Sequence, residues 1–216
     1  MIYNIQYNAI NDRSDILNYL KSIKTNNEKF TMLDVGSYGN PWAIKYITAT
    51  LDVNQCNHGI YHFTGNMNLP EVWESVLEHV KLHGKFDFCN CTHTLEDISN
   101  PQLVCNMISK VATSGFIAIP SKFSELKRRH NFEGPIRGWI HHRWIFNIEN
   151  SEFIGYPKLP FVEYLDTLND IESQHKEEIG ELSFYWKDSI NLKLINGDFF
   201  PSAQYMFEIY KNLKNN

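Results

Sequence analysis

The sequence lacks any apolar run approaching the ~20 residues that a membrane span needs, and this excludes a spanning helix from its reading. Its opening stretch, residues 1–15, holds neither a basic cluster nor an apolar segment, so the expectation is no secretory signal peptide. Cysteine is scarce: Cys56, Cys89, Cys91 and Cys105 are the four in 216 residues. They form no second closely spaced pair, which leaves a zinc-ribbon reading without support. Cys89 and Cys91 stand two apart on an expected strand and point to one face, as reduced core thiols do. An excess of positive charge is missing too. The formal net charge is −5, which argues against a broad electrostatic interface with DNA or RNA. One basic run, Lys122 to Arg129 with His130, remains; it reads as a solvated helix face, or as an attractor for an anionic sugar nucleotide or phosphorylated glycan. There are no internal repeats and no low-complexity linker. The frequent, scattered asparagines read as coding bias of an AT-rich genome, of a low-GC bacterium or a large virus. The expected compartment is the cytoplasm, the host's if the source is viral.

What is present is an alternation of helix and strand patterns. Residues 15–23 carry apolar positions at helical spacing, with Ser14 placed to cap them. Residues 29–35 read as a buried strand, and Pro41 suits the first position of a short helix. Strand candidates follow at 46–53 and 60–63, a helix at 71–82, a strand at 86–91, a helix at 101–111 headed by Ser99 or Asn100, and a strand at 115–120. Such an order implies a parallel sheet with right-handed crossovers. Beyond Pro120 the pattern changes. Residues 143–148 and 152–156 suggest a hairpin, 163–176 a helix, and 189–194 and 204–210 late strands. The expectation is one α/β domain over 1–216, with a cofactor-binding core at 28–121, a substrate-side insertion at 122–188 and closing strands at 189–216.

Open α/β sheets place ligands at the carboxyl ends of their strands. The segment Leu33-Asp34-Val35-Gly36-Ser37-Tyr38-Gly39 meets that description, since glycine lets backbone approach a ligand where a Cβ would collide. Asp52 closes the second strand candidate, 18 residues beyond Asp34, where an acid can accept hydrogen bonds from ribose hydroxyls. The strand at 86–91 leads into the polar cluster His93-Thr94-Leu95-Glu96-Asp97. Together, these three motifs and the run Gly115 to Ser121 resemble the class I S-adenosylmethionine (SAM)-dependent methyltransferases over residues 28–121, and so a Rossmann-like, mostly parallel sheet flanked by helices. The resemblance implies SAM as cofactor. Gly36 and Gly39 would lie against its methionine part, Asp34 would help hold the amino group, Asp52 would take the ribose, and Asn66, after Gly65, would read the adenine, with Ser37 and His93 as further cofactor-binding residues.

Methyl transfer from a sulfonium asks little covalent help of a protein beyond alignment and removal of a proton. His93 is the expected base. Glu96, Glu125, His141, His142 and Arg143 are the expected substrate-side residues, for a small-molecule or glycan-type acceptor, since loops rich in His, Arg and Trp tend to carry function. No metal site is expected: adjacent histidines in an extended segment point to opposite faces. The alternative function is a catalytically silent methyltransferase-like binding or assembly module. Pro41, standing where the family often has a third glycine, and the short interval from Asp34 to Asp52 motivate it. A pocket filled by Tyr38 or Trp42 would favour it.

Overall fold

In the computed structural model, which describes residues 1–39, 41–131, 134–165, 179–195 and 203–215, the chain runs β1 (Ile2–Asn8), α1 (Ser14–Asn26), β2 (Met32–Val35), β3 (Ala49–Asp52), β4 (Tyr61–Thr64), α2 (Pro70–His83), β5 (Phe88–Thr92), α3 (Pro101–Val111) and β6 (Ser114–Pro120). It continues through α4 (Lys122–Leu126), β7 (Arg128–Asn131), β8 (Gly134–Arg137), β9 (Trp144–Glu149), β10 (Glu152–Pro157), a 3-10 turn (Pro160–Tyr164), β11 (Glu181–Lys187), β12 (Leu192–Leu194) and α5 (Ala203–Asn215).

The main sheet has the order β1-β11-β6-β5-β2-β3-β4, with β2 to β6 mutually parallel and β11 antiparallel to both β6 and β1. It is the α/β, Rossmann-like, mostly parallel sheet that the alternation implies. Period-two alternation assigns each face its core. Leu33, Val35, Cys89, Cys91, Ile117, Ile119, Phe184 and Trp186 pack with α2 and α3 on one side. Met32, Phe88, Phe116, Ala118 and Tyr185 pack with Ile16 and Leu20 of α1 on the other. Burial on both faces is why these strands read as nearly continuous apolar runs. The chain leaves β2 outward to β3 and β4, then returns to β5 on the other side of β2. The order reverses there, so the crevice beyond the β2 and β5 tips is the switch point where such sheets hold ligands.

The smaller sheets bring the later loops over these tips. β9 and β10 form the expected hairpin, and β12 adds alongside β10 in parallel. Phe153 stacks on Phe146 and meets Phe184 edge-on, which fixes this layer to β11.

Several local expectations are corrected. The N-cap position of α1 is Arg13, without a side-chain cap bond, and Ser14 lies inside the helix, its amide and hydroxyl donating to Asp12 Oδ1 at 3.1 and 2.8 Å. After Pro41 the chain makes turns through 42–46, not a helix. Residues 204–210 belong to α5, not to a strand: buried Tyr210 and Leu213 stand three apart, a helical spacing. The basic run is no solvated helix face. Lys122 is 2% exposed, and Arg128 leaves α4 for β7, where it donates to the Glu163 carbonyl; the side chains of Arg129 and His130 lie outside the described residues. So does most of the expected helix at 163–176, since description ends at Leu165 after the 3-10 turn. β1 and β11 are strands that the sequence reading leaves unassigned.

Candidate functional site

The turn after β2 is shaped by its neighbours. Gly36 has φ +80 and donates its amide to the Leu51 carbonyl at 2.9 Å. A Cβ there would stand 2.1 Å from Thr94 Oγ1, so only glycine fits. Gly39, at φ +70, has nothing within 4 Å of the corresponding position, and its carbonyl accepts from His58 Nε2 at 2.6 Å. Asp34 is buried beneath the turn, its carboxylate accepting from Ser37 Oγ at 2.7 Å and Asn90 Nδ2 at 2.5 Å. Burial raises its pKa, against the two hydrogen bonds. Asp52, at the tip of β3, accepts from the amides of Tyr38 and Asn54 at 3.1 and 2.8 Å and so ties the turn to β3.

Beside this turn lies a cleft of about 380 Å³, lined by Asp34, Gly36, Ser37, Tyr38, Pro41 and Trp42 on one side and Asn11, Arg13, Thr92 and His93 on the other. Neither aromatic residue fills it. Tyr38 is 78% exposed. Trp42 is held back by its Nε1 bond to Thr92 Oγ1 and an edge contact with Phe116, and the Arg13 guanidinium lies over it.

At the β5 tip, His93 takes a left-handed backbone, φ +48, unusual for a residue with a Cβ and frequent at functional sites. Its imidazole bridges two carboxylates, Nε2 to Glu181 Oε2 at 2.6 Å and Nδ1 to Glu96 Oε1 at 3.2 Å. Arg13 holds the same Glu181 with two bonds, at 2.5 and 2.9 Å. Burial opposes a charge on His93, but the bonds to Glu181 and Glu96 outweigh it and lift its pKa to about 9. Burial likewise works against an ionised Glu181, and the His93 and Arg13 hydrogen bonds bring its pKa below the ordinary value. Glu96 titrates high, because its burial outweighs the help from His93. This geometry departs from the expected base: a doubly bonded imidazolium has no lone pair with which to take a proton.

His93 also walls a second cavity of about 300 Å³, together with Ile10, Asn11, Glu96, Asp97, Pro120, Trp139, His141 and His142. The two cavities therefore meet at Asn11 and His93. Glu125 sits behind the second one, accepting from His142 Nδ1 at 2.6 Å and paired with Lys158 at 2.9 Å. Arg143 pins the loop instead of entering the cavity: its amide donates to the Glu96 carbonyl and its Nε to that of Asp97. His141 and His142 sit in a turn, not an extended segment, and both Nε2 atoms approach Asp97 Oδ1, at 3.8 and 3.5 Å.

Of the expected cofactor residues, Asp34, Gly36, Ser37 and His93 line the first cleft. Gly39 and Asp52 build the turn from behind, and Asn66 is exposed beyond β4 with its Oδ1 accepting from Asn68. Of the expected acceptor residues, Glu96, His141 and His142 line the second cavity. Sequence reasoning misses Arg13 and Glu181. The available signal is an acid opening the apolar run Leu182 to Trp186, next to an arginine that precedes α1.

No protein-family model matches this sequence. No curated protein matches it either. Among solved structures, the chain is similar to the N-terminal domain of EvdMO1 with S-adenosylhomocysteine bound (9% identity, 83% of this chain and 82% of that one, TM-score 0.40). It is also similar to a cyclopropane-fatty-acyl-phospholipid synthase-like protein from Lactobacillus casei (9%, 85% and 96%, TM-score 0.37). A third is the plantazolicin methyltransferase BpumL with S-adenosylhomocysteine (11%, 79% and 81%, TM-score 0.39). By its own strand order, the chain carries a Rossmann-like, mostly parallel α/β sheet, with a glycine turn at the end of β2.

Proposed function

We propose that the protein is a SAM-dependent methyltransferase acting on a small-molecule or glycan-type acceptor. The observation that carries this reading is the pair of cavities meeting at His93, at the carboxyl ends of β2, β5 and β6. The cofactor belongs in the cleft beside Gly36, where it would supply an electrophilic methyl group on a sulfonium. Gly36 and Ser37 line this cleft, and the buried Asp34 carboxylate beside them suits an ammonium group. Asp52 has one backbone hydrogen bond on each oxygen, which leaves a lone pair on each for ribose hydroxyls. Asn66 is the expected adenine contact. The acceptor belongs in the second cavity, before Glu96, His141 and His142.

Proton removal falls to Glu96 in this reading. Its Oε2 is buried without a partner among the described residues, and a carboxyl titrating above its ordinary range is a better base near neutrality. His93 is the positioning residue: its cation holds Glu96 and Glu181 in place between the cavities. An open cleft beside Gly36 counts against a silent module, and Tyr38 and Trp42 leave it open.

Calorimetry with S-adenosylhomocysteine tests the reading. Wild type should bind, and Asp34→Ala should weaken binding by ~1–3 kcal/mol through lost charge-assisted hydrogen bonds. No heat of binding for wild type at high micromolar ligand would remove the proposal.

A further inference from the structure

We propose that Asp97, His141 and His142 bind a divalent first-row transition-metal ion in the second cavity, and that its open positions take hydroxyl oxygens of the acceptor. The metal site stands on geometry alone; its purpose rests on the methyl-transfer reading above. Ligand atoms bonded to one such ion at ~2.0–2.2 Å stand roughly 3–3.5 Å apart. His142 Nε2 and Asp97 Oδ1 are 3.5 Å apart, His141 Nε2 is 3.8 Å from the same oxygen, and all three ligand atoms fall within 4.8 Å of one another. Small side-chain rotations bring the three onto one ion.

The surroundings are those of a prepared ligand set. His142 donates Nδ1–H to Glu125, which leaves Nε2 as its lone-pair nitrogen, on the side of Asp97. A carboxylate behind a histidine is the usual device for fixing the tautomer of a metal ligand. Here it is itself fixed by Lys158. Trp139 stacks on the His142 ring at 4.9 Å and sets its plane. The Arg143 bonds to the 96–97 backbone hold Asp97 opposite the histidine turn.

Glu96 provides an independent observation. It lines the same cavity, is 1% exposed, and its Oε2 has no hydrogen-bond partner among the described residues. Such desolvated acceptors are rare in native proteins and call for a bound group. A hydrated cation, or a hydroxyl held by one, supplies the missing donor.

The ligand chemistry selects the ion and the acceptor class. Two imidazoles and a carboxylate suit zinc, manganese or iron(II), whereas magnesium and calcium favour oxygen sets. Three protein ligands leave positions open, and a cation lowers the pKa of an oxygen it binds. Acceptors with adjacent hydroxyls, such as sugars or catechols, match such a site.

The full chain, freed of metal by chelation and dialysis, is titrated by calorimetry with ZnCl2 and MnCl2. One ion should bind per chain, and Asp97→Asn, His142→Ala and Glu125→Gln should each weaken it by about 10-fold or more. His141→Ala is the variant least able to disturb folding, because its side chain is 58% exposed, and the same loss is expected. No binding up to about 1 mM of either metal, or unchanged affinity in His141→Ala, overturns the site. S-adenosylhomocysteine is titrated separately. If it binds while the metal does not, this proposal alone fails; if the metal binds while it does not, the site stands and the methyl-transfer reading fails.

Discussion

Replacing Glu181 with glutamine should expose how much of the site's order depends on one buried carboxylate. Glu181 is fully buried and accepts from Arg13 twice and from His93 once. Glutamine keeps the shape and one acceptor oxygen but leaves Arg13, 7% exposed, without its counter-charge. Breaking a buried pair by removing one partner costs roughly 3–5 kcal/mol. The retained amide oxygen places Glu181→Gln near the lower end, at about 3 kcal/mol in denaturant unfolding at pH 7.

The same substitution should change the pH dependence of stability. A His93 pKa raised from 6.5 to about 9 corresponds to roughly 3 kcal/mol at most. Solvent screening reduces this to about 1–2 kcal/mol, since the side chain is 31% exposed. The folded-state pKa lies above the unfolded one, so this stabilisation is complete below pH 6.5 and is lost as pH rises through about 9. In Glu181→Gln the His93 pKa should fall towards 6.5 and that slope should flatten. NMR titration of the imidazole, with unfolding midpoints between pH 6 and about 9.5, reads both. A wild-type His93 titrating near 6.5, or identical slopes in the two proteins, would refute the bridging network.

Three further outcomes follow from local geometry. Gly36→Ala places a methyl group against Thr94 at a left-handed φ and should cost about 2–4 kcal/mol in thermal unfolding; Thr94→Ala in the same chain should recover part of the loss but not the backbone strain. Asp52→Ala removes the acceptor for the Tyr38 and Asn54 amides and should weaken S-adenosylhomocysteine binding by ~1–3 kcal/mol; unchanged affinity would rule out its expected ribose role. All four cysteines are buried and their thiols titrate high, with burial the main cause. They should resist a thiol reagent in the native protein and react only on unfolding, and rapid native labelling of Cys89, Cys91 or Cys105 would contradict the packing of β5 and α3.

Strands β2, β3, β5 and β6 are legible in the sequence because they are short, mostly apolar and buried on both sides, with turn residues between them. Gly36, Asp52 and Asn100 announce strand and helix ends through backbone requirements that few other residues meet. β1 is illegible for the opposite reason. It is an edge strand, rich in Asn and Gln, and its pairing with β11 depends on a segment about 180 residues away. α5 hides behind aromatic residues that read as strand until Tyr210 is seen to dock on Leu159 and Pro157. In the site, residue types predict location better than role. His93 and Glu96 stand where the motif puts them, yet only the fold brings Glu181 and Arg13 to His93, and their charges decide its protonation. The turn at 140–141, which aims both histidines at Asp97, is likewise a tertiary fact.

A crystal structure grown with S-adenosylhomocysteine tests the central proposal most directly. The ligand's amino-acid end should lie against Asp34 and Gly36 with its sulfur facing His93, at the mouth of the cavity formed by Glu96, His141 and His142. A ligand seated away from the β2 and β5 tips, or no bound ligand under saturating conditions, would contradict it.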